Sequence, residues 1–185
     1  MIVINTDAKG ILLKNSFPVS NRILIRNRPK DLCGDFISMN KIIENDLQNI
    51  NAKTFLMTHT TNPFLSLETI KNALLVFDNA KSKQSNDSLF YVNSFQTRFY
   101  RKDGKPVNYD PSNLIRTQDI ETWYEENSNL YLFSKENFQK SNNRIGYSSV
   151  LFETLKYESF DIDTEEDWKY AEMIMKLKQS NNQIK

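Results

Sequence analysis

Residues Tyr157–Glu172 read YESFDIDTEEDWKYAE, and this stretch decides the architecture. In an extended chain, residues two apart share a side, so Asp161 and Asp163 present two carboxylates together while Phe160 and Ile162 face the other way. The pattern then turns helical, from about Thr164 to Lys178, so the pair stands at a strand-to-helix junction. Two convergent carboxylates make a hard oxygen site suited to Mg²⁺, which usually takes one or two carboxylates and completes its shell with water and substrate phosphate. Asp163 has a second reading: it stands where a helix N-cap belongs, with Glu166 three positions on, as in a capping box. Asp161 has no such capping role.

Upstream of that junction, strand and helix signals alternate, which predicts an α/β fold with a parallel or mixed sheet covered by helices. Ile2–Asn5 and Ile23–Ile25 are short strand signals. Ser38–Ile50 carries apolar residues at helical spacing (Met39, Ile42, Ile43, Leu47, Ile50), and Thr54–Thr58 is a further strand. Ser66 caps a helix whose apolar positions are Ile70, Ala73, Leu74 and Phe77. Asn86–Asn93, Tyr131–Phe133 and Tyr147–Phe152 are the remaining strand candidates. Phe95–Pro111 alternates aromatic and charged residues around the Asp103-Gly104 turn and reads as an extended arm. The tail from Gln179 to Lys185 is polar and is expected to fray.

Composition narrows the function classes. The 185 residues carry 24 Lys+Arg against 23 Asp+Glu, a net charge of +1, so there is no sequence-wide basic field for nucleic acid. No apolar run approaches the ~20 residues of a membrane span, and the start MIVINTD lacks a signal peptide's basic and apolar regions, so a cytoplasmic protein is expected. Cys33 and His59 are the sole Cys and His, which excludes an internal disulfide and a Cys/His zinc cluster. The four glycines, Gly10, Gly34, Gly104 and Gly146, are too dispersed for a Gly-rich phosphate loop. One domain fits the length.

Two further clusters could bind a polar ligand. Arg116 in LIRTQD could hold a carboxylate or phosphate by its planar fork, with Gln118 adding a hydrogen bond, or could form a surface ion pair. His59, Thr60, Thr61 and Asn62 follow a strand at the end where open α/β sheets bind ligands, or form a self-satisfied loop.

In order and wording these segments resemble the acylneuraminate cytidylyltransferases, which make CMP-activated sialic acids and related nonulosonic acids. Asn5-Thr6-Asp7 is similar to the family's strand-end S-T-D motif, and Arg26–Asp35 (RNRPKDLCGD) to its R-P-x-x-L-x-x-D segment. Thr58–Phe64 resembles the Q-x-T-S-P-[LF] loop, with His59 where glutamine is common and Asn62 where serine is common. Ile115–Leu130 resembles the R-x-Q-D-L segment and its downstream E-N-[GS] turn, Tyr131 falls on the aromatic of the next strand, and Phe160–Trp168 resembles the D-I-D-T-x-x-D-[WF] ending.

The resemblance implies a three-layer Rossmann-like nucleotidyltransferase fold with a mixed, mainly parallel sheet, formed as one domain over 1–185. It implies transfer of CMP from CTP to a nonulosonic acid with release of pyrophosphate, a step in nucleotide-sugar biosynthesis. Asp161 and Asp163 would bind Mg²⁺, and Arg116 would act with them at the reacting centre. Gln118, His59, Thr60, Thr61, Asn62 and Tyr131 would lie on the sugar-acid side, and Asn5, Thr6 and Asp7 by the nucleotide. The arm at about 95–111 would serve a homodimer. The family's opening strand, glycine- and lysine-bearing loop and helix have no counterpart ahead of Asn5, so the first β-α unit is expected to be lacking. Lys9–Asn15 (KGILLKN) is not a replacement loop, because ~30 residues of strand, helix and strand would have to fit before Arg28. Three functions therefore fit: a sialic or nonulosonic acid cytidylyltransferase, impaired or not by that gap; a non-catalytic, sugar-acid-binding partner of a homologue; or a cytidylyltransferase for another 3-deoxy-ulosonic acid.

Overall fold

The computed structural model describes residues 1–18, 20–82 and 86–182. The chain divides into two compact units, Met1–Lys53 and Thr54–Lys185.

In the first unit, β1 (Ile2–Thr6) pairs in parallel with β2 (Ile23–Asn27), from Ile2 opposite Ile23 to Thr6 opposite Asn27. The connection holds the short helix α1 (Lys9–Lys14), so the KGILLK run is helical and not an open phosphate-binding loop. A short 3₁₀ turn follows at Lys30–Leu32, and then α2 (Met39–Asn49). Ser38 starts α2 as the sequence predicts, its hydroxyl accepting from Asn40 N at 3.3 Å, and Ile42, Ile43 and Leu47 form its buried face.

The second unit is a four-stranded sheet in the order β3 (Thr54–Thr58), β5 (Trp123–Ser134), β4 (Ser88–Phe95), β6 (Ser149–Glu153). β5 runs antiparallel to both of its neighbours while β4 and β6 are parallel, so three strands share one direction and the sheet is mixed. Alternation along the strands assigns its two faces. Leu89 and Tyr91 of β4 and Leu130 and Leu132 of β5 point to one face, where Ala73 and Phe77 of α3 (Leu67–Ser82) cover them. Phe133 points to the other, stacking on Phe55 at 6.1 Å and meeting Phe138 of α4 (Lys135–Ser141) at 5.8 Å. Ser66 caps α3 as expected, accepting from Thr69 N at 3.1 Å.

Three expectations need correction. The strand expected at Tyr131–Phe133 is the end of a twelve-residue β5, whose first half is hidden in the polar run YEENSN. The segment expected as a turn at Glu126–Ser128 is a bulge. Phe90 pairs with Tyr131 but Val92 pairs with Glu126, leaving four β5 residues against Tyr91, with Ser128 in the left-handed region at φ 58°. Phe160–Asp163 joins no strand ladder. It is an extended segment leading into α5 (Glu165–Asn182), which continues beyond Lys178; the last part of the expected frayed tail, 183–185, lies outside the described residues.

The 95–111 arm folds as a small hairpin. Tyr100 bridges Pro106, Gly104 turns the chain at φ 82°, and Arg98 reaches back to Ile115 O at 2.6 Å. No helix among the described residues is long and apolar enough to cross a membrane.

Candidate active site

The carboxylate segment is strapped in place by three asparagine and backbone contacts. Asn129, inside the β5 bulge, donates through Nδ2 to Glu158 O at 2.7 Å. Asn62, in the loop after β3, donates through Nδ2 to Phe160 O at 3.2 Å, and Ile162 N donates to Thr61 O at 3.0 Å. Phe64 packs on Phe160 at 5.9 Å. Residues 158–162 are thereby held against the loop that carries His59, Thr60, Thr61 and Asn62, so two of the predicted clusters meet.

The capping assignment shifts by one residue. Thr164 is the cap: its Oγ1 accepts from Asp167 N at 3.2 Å, while an Asp167 carboxylate oxygen accepts from Thr164 N at 2.9 Å. Glu166 instead accepts from the Tyr170 hydroxyl. Asp163 is therefore released from capping and stands exposed, and among the described residues its carboxylate has no hydrogen-bonded or ionic partner. Asp161 is half-buried and, among the described residues, accepts only from Ile162 N, at 3.1 Å.

His59 is partly buried, and its Nε2 is enclosed without a partner. Burial lowers its pKa below the ordinary 6.5, the Arg144 guanidinium lowers it further, and Asp161 opposes both. His59 thus feels both the Arg144 cation and the Asp161 carboxylate. Its contribution to stability is fully present above pH 6.5 and is lost as pH falls from 6.5 to the lower folded value, because the unfolded chain protonates first. Urea unfolding between pH 7 and 5 is expected to show this loss, and His59→Gln to flatten that part of the profile. An unchanged profile would place the imidazole in water.

Tyr131 is fully buried beneath Arg144, whose guanidinium lies 3.9 Å from the ring centroid and donates through Nη2 to the phenolic oxygen at 3.0 Å. The Tyr131 hydroxyl donates to Glu126. Burial first, and that bond second, push its pKa up to about 12. Tyr131 offers no open surface, because Arg144 covers it.

Arg116 and Gln118 do not join this group. Arg116 is exposed and its fork is closed on Asp119, with Nε and Nη2 at 2.7 and 3.0 Å from the two carboxylate oxygens, which is the surface ion pair. Gln118 is exposed on a 3₁₀ turn, and its backbone oxygen accepts from Gln96 Nε2 at 2.7 Å. In the first unit the polar atoms of Asn5 and Thr6 are engaged locally. Asn5 donates to Asp46 at 2.9 Å and accepts from Arg28 Nε at 3.2 Å, and Thr6 Oγ1 accepts from Ala8 N at 3.0 Å. Asp7 is exposed.

A family model described as cytidylyltransferase matches residues 1–184. The chain belongs to the cytidylyltransferase family. Over 77 residues, 42% of its length, this cytidylyltransferase is 29% identical to the post-translational flagellin modification protein B of Campylobacter coli, and the match spans a third (33%) of that relative. Among solved structures it is similar to a 4-diphosphocytidyl-2C-methyl-D-erythritol synthase from Anaerococcus prevotii, with TM-score 0.64 and 12% identity over 94% of this chain and 77% of that one. It is also similar to a CMP:2-keto-3-deoxy-manno-octonic acid synthetase complexed with CTP, with TM-score 0.60 and 8% identity over 95% and 80%. At those identities the likeness is one of fold: α/β with a mixed sheet.

Arg144, Glu126 and Asn129, which pack around Tyr131 and the 158–162 segment, belong to no motif that the sequence shows. Arg144 sits in the polar run SNNRIG, where nothing in spacing separates it from a solvated loop residue. Asn127 and Asn129 flank Ser128, and only the left-handed bulge turns them inward.

Proposed function

We propose that the chain transfers CMP from CTP to the anomeric hydroxyl of a sugar acid, a sialic acid or related nonulosonic acid, and that it does so in the cytoplasm. The observation that carries this reading is the strapping of the Asp161/Asp163 segment onto the His59 loop beside Arg144. That arrangement sets an acidic, metal-capable edge next to a basic, anion-capable one. The family match over 1–184 supports the nucleotide half, and a fold neighbour named for CMP and a keto-deoxy sugar acid supports the acceptor half.

In the transfer, the acceptor oxygen forms a bond to the α-phosphorus. The bond from that phosphorus to the β-phosphate oxygen breaks, pyrophosphate leaves with the electron pair, and the hydroxyl proton passes to water. Asp161 and Asp163 would hold Mg²⁺. Both offer hard oxygens, neither is ion-paired, and no group of three or more His, Cys, Asp or Glu side chains is present among the described residues, so the ion would draw its other ligands from water and phosphate. Bound there, Mg²⁺ supplies charge neutralisation at the phosphates. The Thr61 and Asn62 contacts fix where the carboxylates stand, and the neutral His59 borders the acceptor. A homodimer formed through the 95–111 arm, where Tyr100 and Val107 are exposed, completes the proposal.

Purified protein incubated with CTP, MgCl₂ and either N-acetylneuraminic acid or 3-deoxy-manno-octulosonic acid is expected to release pyrophosphate and form the CMP-sugar of at least one of them. Pyrophosphate release without a sugar acid, or no CMP-sugar from either, would overturn the reading.

A further inference from the structure

We propose that Arg144, through its unpaired Nη1 group, holds the carboxylate of the sugar acid. This rests on the function proposed above and assigns its acid-recognition residue. The Arg144 side chain is only 17% exposed, and among the described residues its enclosed Nη1 has no hydrogen-bond acceptor. A buried guanidinium N–H without a partner is costly, so the unpaired Nη1 calls for an acceptor.

The rest of the guanidinium is fixed. Nη2 donates to the Tyr131 hydroxyl at 3.0 Å and lies 3.4 Å from Glu126, and stacking on Tyr131 sets the plane of the fork. The backbone beneath is pinned as well. Asn142 turns the chain at φ 52°, Gly146 N donates to Ser88 Oγ at 2.8 Å, and Tyr147 N donates to Asp87 at 2.8 Å. Gly146 sits so close to the Asp87 carboxylate that a Cβ would collide with it, so glycine permits this close approach. The cation is thus preorganised, with one donor left unpaired.

His59 Nε2, likewise enclosed without a hydrogen-bond partner among the described residues, belongs to a side chain that feels the Arg144 charge. Glu126, exposed and shared with the Tyr131 hydroxyl, only partly offsets the Arg144 charge. An incoming carboxylate is drawn to Arg144 and repelled by Asp161, so it binds with a defined orientation. In a 2-ulosonic acid the anomeric carbon bears both the carboxylate and the nucleophilic hydroxyl. Holding the carboxylate at Arg144 therefore places that hydroxyl one carbon away, towards the Asp161 side. Arg116, exposed and closed on Asp119, would have to abandon its partner to do the same.

The test compares KM for the sugar acid, for its C1 methyl ester and for CTP in the wild type, Arg144→Met and Arg144→Lys, using whichever of the two acids is turned over. Arg144→Met keeps an apolar stem over Tyr131, and circular dichroism checks folding; Arg144→Lys retains the charge but lacks the planar fork. The acid KM is expected to rise about 10- to 100-fold in Arg144→Met, as for loss of charge-assisted hydrogen bonds. Arg144→Lys should fall in between, with the ester and CTP values within about twofold of wild type. An unchanged acid KM, or an equal rise for acid and ester, overturns the inference while leaving the proposed function standing. If the wild type forms no CMP-sugar, the proposed function fails and calorimetric binding of acid against ester decides this point separately. A preference for the acid that Arg144→Met removes sustains the assignment, and no such preference overturns it.

Discussion

Asp161→Asn is expected to reduce Mg²⁺-dependent CMP transfer by on the order of 10³-fold, because a lost carboxylate ligand removes several kcal/mol of charge stabilisation at the phosphates. The same substitution should leave the fold almost untouched. Asp161 is half-buried and accepts a single backbone bond, from Ile162 N at 3.1 Å, which an asparagine oxygen can accept equally well. Removing the negative charge has a second consequence, since Asp161 is the group that raises the His59 pKa against burial and Arg144. The imidazole should therefore titrate at lower pH in Asp161→Asn than in the wild type, a shift that NMR reads without any turnover. Three measurements then separate the possibilities. Lost activity with an unchanged melting temperature and a lowered His59 pKa supports the assignment; retained activity, or a collapsed fold, refutes it. Asp163→Asn should also impair Mg²⁺ activation without weakening α5, because Thr164 and Asp167 make the cap.

How much of this was legible in the sequence follows from which interactions are local. Amphipathic spacing and caps act within a few residues, so α2 with Ser38, α3 with Ser66 and the core stripe Ala73 and Phe77 are readable directly. The DIDT carboxylates stand out in the sequence because their types and spacing carry chemistry, and of the two readings open for Asp163 the capping one falls to Thr164. The long β5 is not readable, because Tyr124–Asn129 is polar and the burial of Asn127 and Asn129 depends on Thr154, Glu158 and Asn93, all distant in sequence. Arg116 fitted a motif and proved to be paired with Asp119. Arg144 fitted none, and its enclosure depends on Tyr131 and Glu126 thirteen and eighteen residues away. Charged residues acquire a role from partners that tertiary structure supplies, and those partners leave no period in the sequence.

Asn129→Ala is expected to cost about 2–4 kcal/mol of stability, the largest loss among the polar residues of the site. Asn129 is 0% exposed, and its Nδ2 is the donor to the carbonyl of Glu158, a residue itself only 1% exposed. Truncation leaves that carbonyl buried without a partner, for roughly 1–3 kcal/mol, and adds a small cavity that the bulge around Ser128 cannot readily close. The backbone N of Asn129 still donates to Asn127 Oδ1 at 3.2 Å, so the bulge persists and the damage concentrates on the 158–162 segment. Asn62→Ala should cost less, because it removes a longer bond, 3.2 Å, to Phe160 O, and Ile162 N still reaches Thr61 O. Both asparagines hold one short run of backbone, so the double variant should lose less than the sum by about 0.5–1 kcal/mol: once one strap is cut, the other has less order to protect. The same loosening displaces Asp161, so the Mg²⁺ concentration for half-maximal activity should rise in Asn129→Ala. Urea unfolding and a Mg²⁺ titration read the two effects independently. A stability loss under 1 kcal/mol, or strict additivity with Asn62→Ala, would mean that the carboxylate segment is held by something other than these straps.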